Sequence, residues 1–467
     1  METMTGTAAT EAPALNADHL RARLEQLAQQ AGIQQWDLGA SCSTDTSVQV
    51  DRGEAKQMKG AQRSAITVRV WNSAGLVGIT STSDLSEAGL AKALAGARDA
   101  SAFGNADDTP AFSPLASAPL ENLDQPRHGA VSILALLHTL KDAEQQLLDR
   151  HPAIETVPYN GLAQRSSERL YLNSEGACRH QALSTASLYL YARAEEAGRK
   201  PRSAGAVRLA YGADQLDIAG CIDEAALRTI SHLNYAPIET GHYTCVFSPE
   251  AFLDLIGAFS SLFNARAVLD GVSLSSRESL GHPLAVPFLN LHDNGLHPGN
   301  IGASAFDGEG TPTQRLALLE GGVLKHFLHS EATARAFGVR PTGHAGMGAK
   351  VSVGPDYFEI GPAGSAADGL AGQLGLDRFN HGSPLVVIDS LSALHAGVKA
   401  SQGSFSLPFD GWLVRSGETI SIEAATVAGD IRTVLNALIG FEGPAKVGPD
   451  GVCPHVWVDG LSITGEA

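Results

Sequence analysis

Sixteen histidines make a metal site the first chemistry to look for. A zinc-peptidase helix carries two histidines on one face, with a glutamate beside the first as general base. No His-Glu dipeptide occurs anywhere in the chain, so HExxH and its variants are excluded. His326 and His329 stand three apart, but the alternation around them predicts a strand, which sends them to opposite faces. His292 and His297 flank Asn294-Gly295 in an expected loop. Histidines scattered in this way are more often solvated or satisfied in a core than bound to metal.

Nucleophilic chemistry has no better signal. The chain has no Gly-x-Ser-x-Gly elbow, and Cys453 is separated from His455 by a proline. Its expected role is that of a small buried hydrophobe. Gly343-His344-Ala345-Gly346-Met347-Gly348 is glycine-rich, but it is neither a dinucleotide fingerprint nor a P-loop, and reads as a tight loop.

The whole-chain composition narrows the classes further. Fifty acidic against 33 basic side chains give a formal charge of −17, a field that repels phosphate backbones and anionic lipid. No nucleic-acid partner is expected, and no membrane partner. The densest basic spot, Arg199, Lys200 and Arg202 around Pro201, reads as a solvated loop. Five scattered cysteines without a CxxC pair are neither a disulfide framework nor a structural zinc module. The start METMTGTAATEAPAL lacks a cationic stretch and an apolar core, so a cytoplasmic location is expected.

The elements that must position any site read as α+β. Residues 1–17 are expected to be disordered. A first small α+β domain spans 18–104. It has a helix from an Asp18 cap to Gly32, a hairpin around Asn72–Gly75, and a helix from Asp84 to Arg98. Residues 105–127, within an Ala-, Pro-, Asp- and Ser-rich stretch that begins at 101, form a linker. A middle α+β domain, 128–237, opens with an amphipathic helix over Ser132–Asp149. Strands follow with Thr, Tyr, Arg and Ser on alternate positions, notably Thr185–Tyr191, and a helix near Asp223–Leu233 closes it. From 238 to 467 short strands and glycine turns predict a mostly β C-terminal domain, with helices at Ser248–Phe263 and Thr426–Ile439. Leu316–Leu319 and Val323–Leu328 are expected to pair as a hairpin through the Glu320-Gly321-Gly322 turn.

Several blocks of this last domain carry a family resemblance. They are Ala305-Phe306-Asp307-Gly308-Glu309-Gly310, Pro312-Thr313-Gln314-Arg315, Gly322-Val323-Leu324, Ala332–Gly338, Thr342–Gly346, and the run from Ile420 through Glu423 and Thr426 to Gly429-Asp430. In their order and spacing they resemble the PmbA/TldD family, also called modulators of DNA gyrase. Weaker likeness reaches back to Arg69–Ser83.

The resemblance implies a zinc-peptidase branch with HExxxH on a helix and a C-terminal cysteine as third ligand. It also implies a PmbA/TldE-like branch without that motif, which pairs with the first. Aligned from Pro249-Glu250, the two histidine positions hold Gly257 and Leu262 and the glutamate position Ala258. This chain resembles the second branch. The implied function is the metal-free subunit of a heterodimeric peptidase acting on extended or unfolded peptides, with no catalytic, metal or cofactor residues of its own and zinc in a TldD-like partner. Asp307, Arg315 and His344 are candidates for lining the peptide chamber or the subunit interface, each equally explicable as a loop stabiliser. The alternative from another class is a non-enzymatic, homodimeric peptide- or ligand-binding protein.

Overall fold

The computed structural model describes residues 15–105, 109–347, 351–362, 384–416 and 418–465. Most of the stretch expected to be disordered lies outside them. Of its last residues, Leu15 is buried and Asn16 caps the first helix, α1 (Ala17–Ala31), by accepting from His19 N. The cap is therefore Asn16. Asp18 sits inside the first turn, where a carboxylate favours the helix dipole.

Strands β1 (Gln35–Asp51), β2 (Glu54–Trp71) and β3 (Val77–Thr82) precede α2 (Glu87–Ser101). After α3 (Ile133–Leu148) come β4 (Ile154–Asn173), β5 (Cys178–Ala194), β6 (Arg202–Ala210) and α4 (Ile218–Ser231). These six strands form a single antiparallel sheet in the order β3-β2-β1-β4-β5-β6, so segments 18–104 and 128–237 contribute three strands each. Helix α3 matches its expected bounds, with Ser132 and Asp149 at its ends. Helix α4 starts five residues before the expected Asp223, because the Asp217 side chain accepts from Gly220 N and sets the cap there.

One face of this sheet is apolar and carries both helix pairs. Leu38, Ala40, Ile66, Val68 and Leu170 pack under α1 and α2, while Val48, Val50, Leu162 and Leu188 pack under α3 and α4. The other face is built from the alternate positions and is polar. Residues 109–118 are pinned to the folded body. Pro110 O accepts from Trp71 Nε1 at 2.8 Å, and Ser113 Oγ from Thr311 Oγ1 at 2.8 Å.

The C-terminal region is strand-rich, as its glycine turns predict. Among the described residues its thirteen strands are β7 (Tyr235–Ala236), β8 (Gly241–Phe247), β9 (Leu289–Asn294), β10 (Arg315–Glu320), β11 (Val323–Leu324), β12 (Phe358–Pro362), β13 (Leu385–Leu391), β14 (Val398–Lys399), β15 (Ser404–Arg415), β16 (Glu418–Ile422), β17 (Ala425–Asp430), β18 (Leu438–Val447) and β19 (Gly451–Gly465). Their order is β11-β10-β9-β12-β19-β8-β13-β15-β16-β7, with β14, β17 and β18 paired alongside. Helix α5 (Pro249–Ala258), capped by Ser248 and carrying proline at its first position, buries Phe252, Leu255 and Ile256 in the core.

The expected hairpin forms between β10 and β11. Gly321 (φ 55°) and Gly322 (φ 73°) supply the two left-handed residues that its tight turn needs. Its second strand stops at Leu324, so His326 and His329 lie on irregular backbone instead of a strand. His326 is exposed and His329 buried. The expected helix over Thr426–Ile439 is also corrected. Thr426 and Val427 pair with Pro408 and Leu407 as β17, and a helix begins only at Ile431, where Asp430 caps it. β-Branched residues on a pleated, half-buried ladder outweigh the helical spacing there. Among the described residues, no helix is long and apolar enough to cross a membrane.

Candidate functional site

The polar face of the six-stranded sheet follows from strand register. Ser41 stands between Ala65 and Arg169, Ser43 between Arg63 and Ser167, and Asp45 between Ala61 and Arg165. Side chains on a strand alternate between faces, so these residues and Gly39 share one surface. Loop residues Gly302–Ser304 and Phe306–Gly308 of the C-terminal region, with Met347, stand over one end of it. They enclose a cleft of about 640 Å³.

A buried charge cluster closes that end. Arg69 donates to both oxygens of Asp37, at 2.9 Å from Nε to Oδ1, and Nη1 reaches Glu309 Oε1 at 3.4 Å. Tyr171 OH donates to Asp37 at 3.1 Å, and Glu309 accepts from Glu331 N at 2.8 Å. All three charged side chains are fully buried. Burial opposes the charge on Arg69, but Asp37 and Glu309 outweigh it and hold the guanidinium above its usual pKa. Burial pushes the Glu309 carboxyl up to about 7, against the pull of Arg69. The cluster joins strands β1, β2 and β4 to the C-terminal region.

Asp307 and His344 shape the loops above the cleft. The Asp307 carboxylate accepts from Glu309 N (2.8 Å), Thr311 N (2.9 Å) and Ala345 N (2.9 Å), fixing both loops. At Gly308 a side chain would collide with Met347 N, and at Gly39 with the Met347 side chain. His344 lies behind this wall, with Nδ1 on Thr342 Oγ1 (2.8 Å) and Nε2 on Asp293 Oδ1 (3.0 Å). Burial opposes its protonation, but Asp293, Asp356 and Asp307 prevail and raise its pKa. Asp293, His344 and Asp356 present possible ligand atoms within 4.8 Å of one another, yet both ring nitrogens of His344 already have partners. Burial pushes the Asp356 carboxyl up to about 6.

Of the three candidates read from sequence, Asp307 lines the cleft, His344 supports its wall, and Arg315 stands elsewhere. Arg315 forks onto Glu359 at 2.9 and 3.0 Å, and that hydrogen bonding drives the Glu359 carboxyl down to about 2. Sequence reasoning missed Arg63, Arg165 and Arg169. The alternation Arg165-Ser167-Arg169 on a predicted strand is the signal that could have placed two of them together.

The residues at the implied zinc position do not fit the metal. Gly257 and Ala258 end α5, and Leu262 is buried in the main apolar core together with Cys453. None of the first three has a ligand atom, and desolvation pushes the Cys453 thiol well above its usual value. A zinc-bound cysteine must be a thiolate, so a thiol held neutral in hydrocarbon is a poor ligand.

Two family models match this chain. The central domain of the PmbA/TldA metallopeptidases matches residues 126–233, and their C-terminal domain matches residues 240–465. The chain belongs to the PmbA/TldA metallopeptidase family. The Escherichia coli O157:H7 metalloprotease PmbA is 23% identical over 434 residues, 92% of each chain. A Synechocystis metalloprotease is 31% identical over 139 residues, 30% of each chain. Among solved structures, a Thermotoga maritima protein described as a modulator of a DNA gyrase superposes with a TM-score of 0.84 at 24% identity. It covers 96% of this chain and 100% of its own. TldE from Thermococcus kodakarensis gives 0.82 at 17% identity, covering 95% and 100%. The likeness in fold thus extends over the N-terminal sheet as well.

Proposed function

We propose that this chain is the metal-free, PmbA/TldE-like subunit of a cytoplasmic heterodimeric peptidase. It holds extended or unfolded peptide while a TldD-like partner supplies the zinc. The observation that carries this reading is that Gly257, Ala258 and Leu262 bear no ligand atom and that Leu262 and Cys453 lie in the apolar core, in a chain of a metallopeptidase family. Zinc hydrolysis needs about three protein ligands, an open position for water and a base for its proton. This chain offers no such set at α5, so its part in the family's chemistry is to bind and position.

Peptide handling is supported by the sheet itself. β3 pairs with β2 only over Ile66–Trp71, so the outer edge of β2 from Glu54 to Ala65 has no strand partner among the described residues. An open edge accepts an extended chain through backbone hydrogen bonds with little regard for sequence. The polar cleft beside it has room for side chains.

The test mixes the purified chain with the HExxxH-bearing relative from the same cell and measures mass by native mass spectrometry. A one-to-one complex is expected. A stable homodimer that ignores the relative would favour a self-paired binding protein and end this reading.

A further inference from the structure

Arg169 is the cation of the cleft that its surroundings leave unneutralised. Its guanidinium lies 4.9 Å over the Phe306 ring, and Nη1 donates to Ser304 Oγ at 2.7 Å. Among the described residues no carboxylate oxygen stands within 4.0 Å of its nitrogens. Its neighbours differ. Arg63 and Arg165 share Asp45 at 3.1 and 3.6 Å, and Arg69 has two carboxylates. Burial lowers the pKa of Arg169 even with Asp307 and Asp356 nearby, so local negative charge falls short of what the guanidinium needs. Five N–H donors, most of them without a hydrogen-bond acceptor among the described residues, border a cavity of about 640 Å³.

The shape of the cleft restricts what can sit there. Gly39, Ser41, Ser43, Ala65 and Ser167 make a floor of small side chains around Arg169, leaving height for a chain laid over the sheet. Arg165 precedes Arg169 by four residues on β4, roughly 13 Å away, and with Arg63 it outnumbers the one carboxylate, Asp45, that they share. A polyanion is disfavoured by the charge of −17 on the whole chain. A planar fork with one open side matches a single carboxylate.

We propose that Arg169 receives a carboxylate of an extended peptide lying on the small-residue floor of the cleft. This deepens the peptide-handling reading above and rests on it. The carboxylate can be the peptide's C-terminus or an acidic side chain, since the guanidinium meets the same two oxygens in either case.

Three fluorescently labelled decapeptides of Ala, Ser and Thr distinguish these sources when titrated into the full-length protein by anisotropy. One has a free C-terminus, one is amidated, and one is amidated with a central Asp. At least one carboxylate-bearing peptide should bind about ten-fold or more tightly than the uncharged one. That advantage should disappear in Arg169→Gln and return in part in Arg169→Lys. The comparison among peptides on the unaltered protein needs no variant to fold. Equal binding of all three would overturn the carboxylate subsite while leaving peptide binding intact. No binding of any would overturn both. An unchanged preference in a folded Arg169→Gln protein would place the subsite elsewhere.

Discussion

At the C-terminal end of α5, Gly257, Ala258 and Leu262 offer no ligand atom where the resemblance to the zinc branch asks for ligands. On the cleft face of the N-terminal sheet it is polar, positively biased and open where a scaffold would be filled. Both regions bring together residues distant in the chain, so the difference is one of chemistry. Leu262 and Cys453 contribute buried apolar surface, whereas Arg69, Asp37 and Glu309 spend desolvation energy to hold one end of a cleft in place. Buried charge at the cleft and apolar packing around Leu262 and Cys453 are the two features on which the proposed binding role rests.

The largest expected effect of breaking this contrast is at Arg69. Arg69→Met leaves Asp37 and Glu309 buried without their cation, which costs about 3–5 kcal/mol. The measurement is the urea unfolding midpoint of variant and parent. A loss under about 1 kcal/mol would mean that water or rearrangement already neutralises the two acids.

Cys453→Ser probes the apolar side. It places a hydroxyl in hydrocarbon, at about 1–3 kcal/mol if no partner is found. Assembly with the zinc-bearing relative and the metal content of the complex should stay as they were. Metal lost from the assembled complex on this one change would make Cys453 a ligand.

The smallest effect is a slope with pH. The folded-state pKa of Glu309, about 7, lies above its ordinary 4.5, so the folded protein holds that proton more tightly. The resulting stability is present below about 4.5 and is lost as pH rises through about 7. Glu309→Gln has no proton to lose, so its chemical-denaturation stability should decline less than the parent's over that window. Parallel curves would place the Glu309 carboxyl at its ordinary value and remove the desolvation argument for the cluster.

Local chemistry was legible in the sequence. Ser132 and Asp149 bound α3, and Gly321-Gly322 turns the β10–β11 hairpin, because caps and turns are written in adjacent residues. The absence of any His-Glu pair is likewise a property of the string. The cleft was not legible. β1 pairs with β4 across β2, β3, α2, the following segment and α3, and no local pattern announces that partnership. Arg69 and Glu309 are 240 residues apart. Among 33 basic and 50 acidic side chains, a single sequence contains no sign that these two meet. Asp307 was singled out through the family blocks with two readings, chamber lining or loop stabiliser, and its three backbone hydrogen bonds show the second, which the motif alone did not decide.

In the proposed division of labour this chain binds and its partner cuts. The direct measurement is metal content by mass spectrometry alongside fluorogenic-peptide turnover, for this chain alone, for the HExxxH-bearing relative alone, and for the mixture. No stoichiometric zinc and no cleavage above background are expected for this chain, and chelator-sensitive cleavage of unstructured peptides by the mixture. Chelator-sensitive cleavage by this chain alone, at the rate of the mixture, would contradict it.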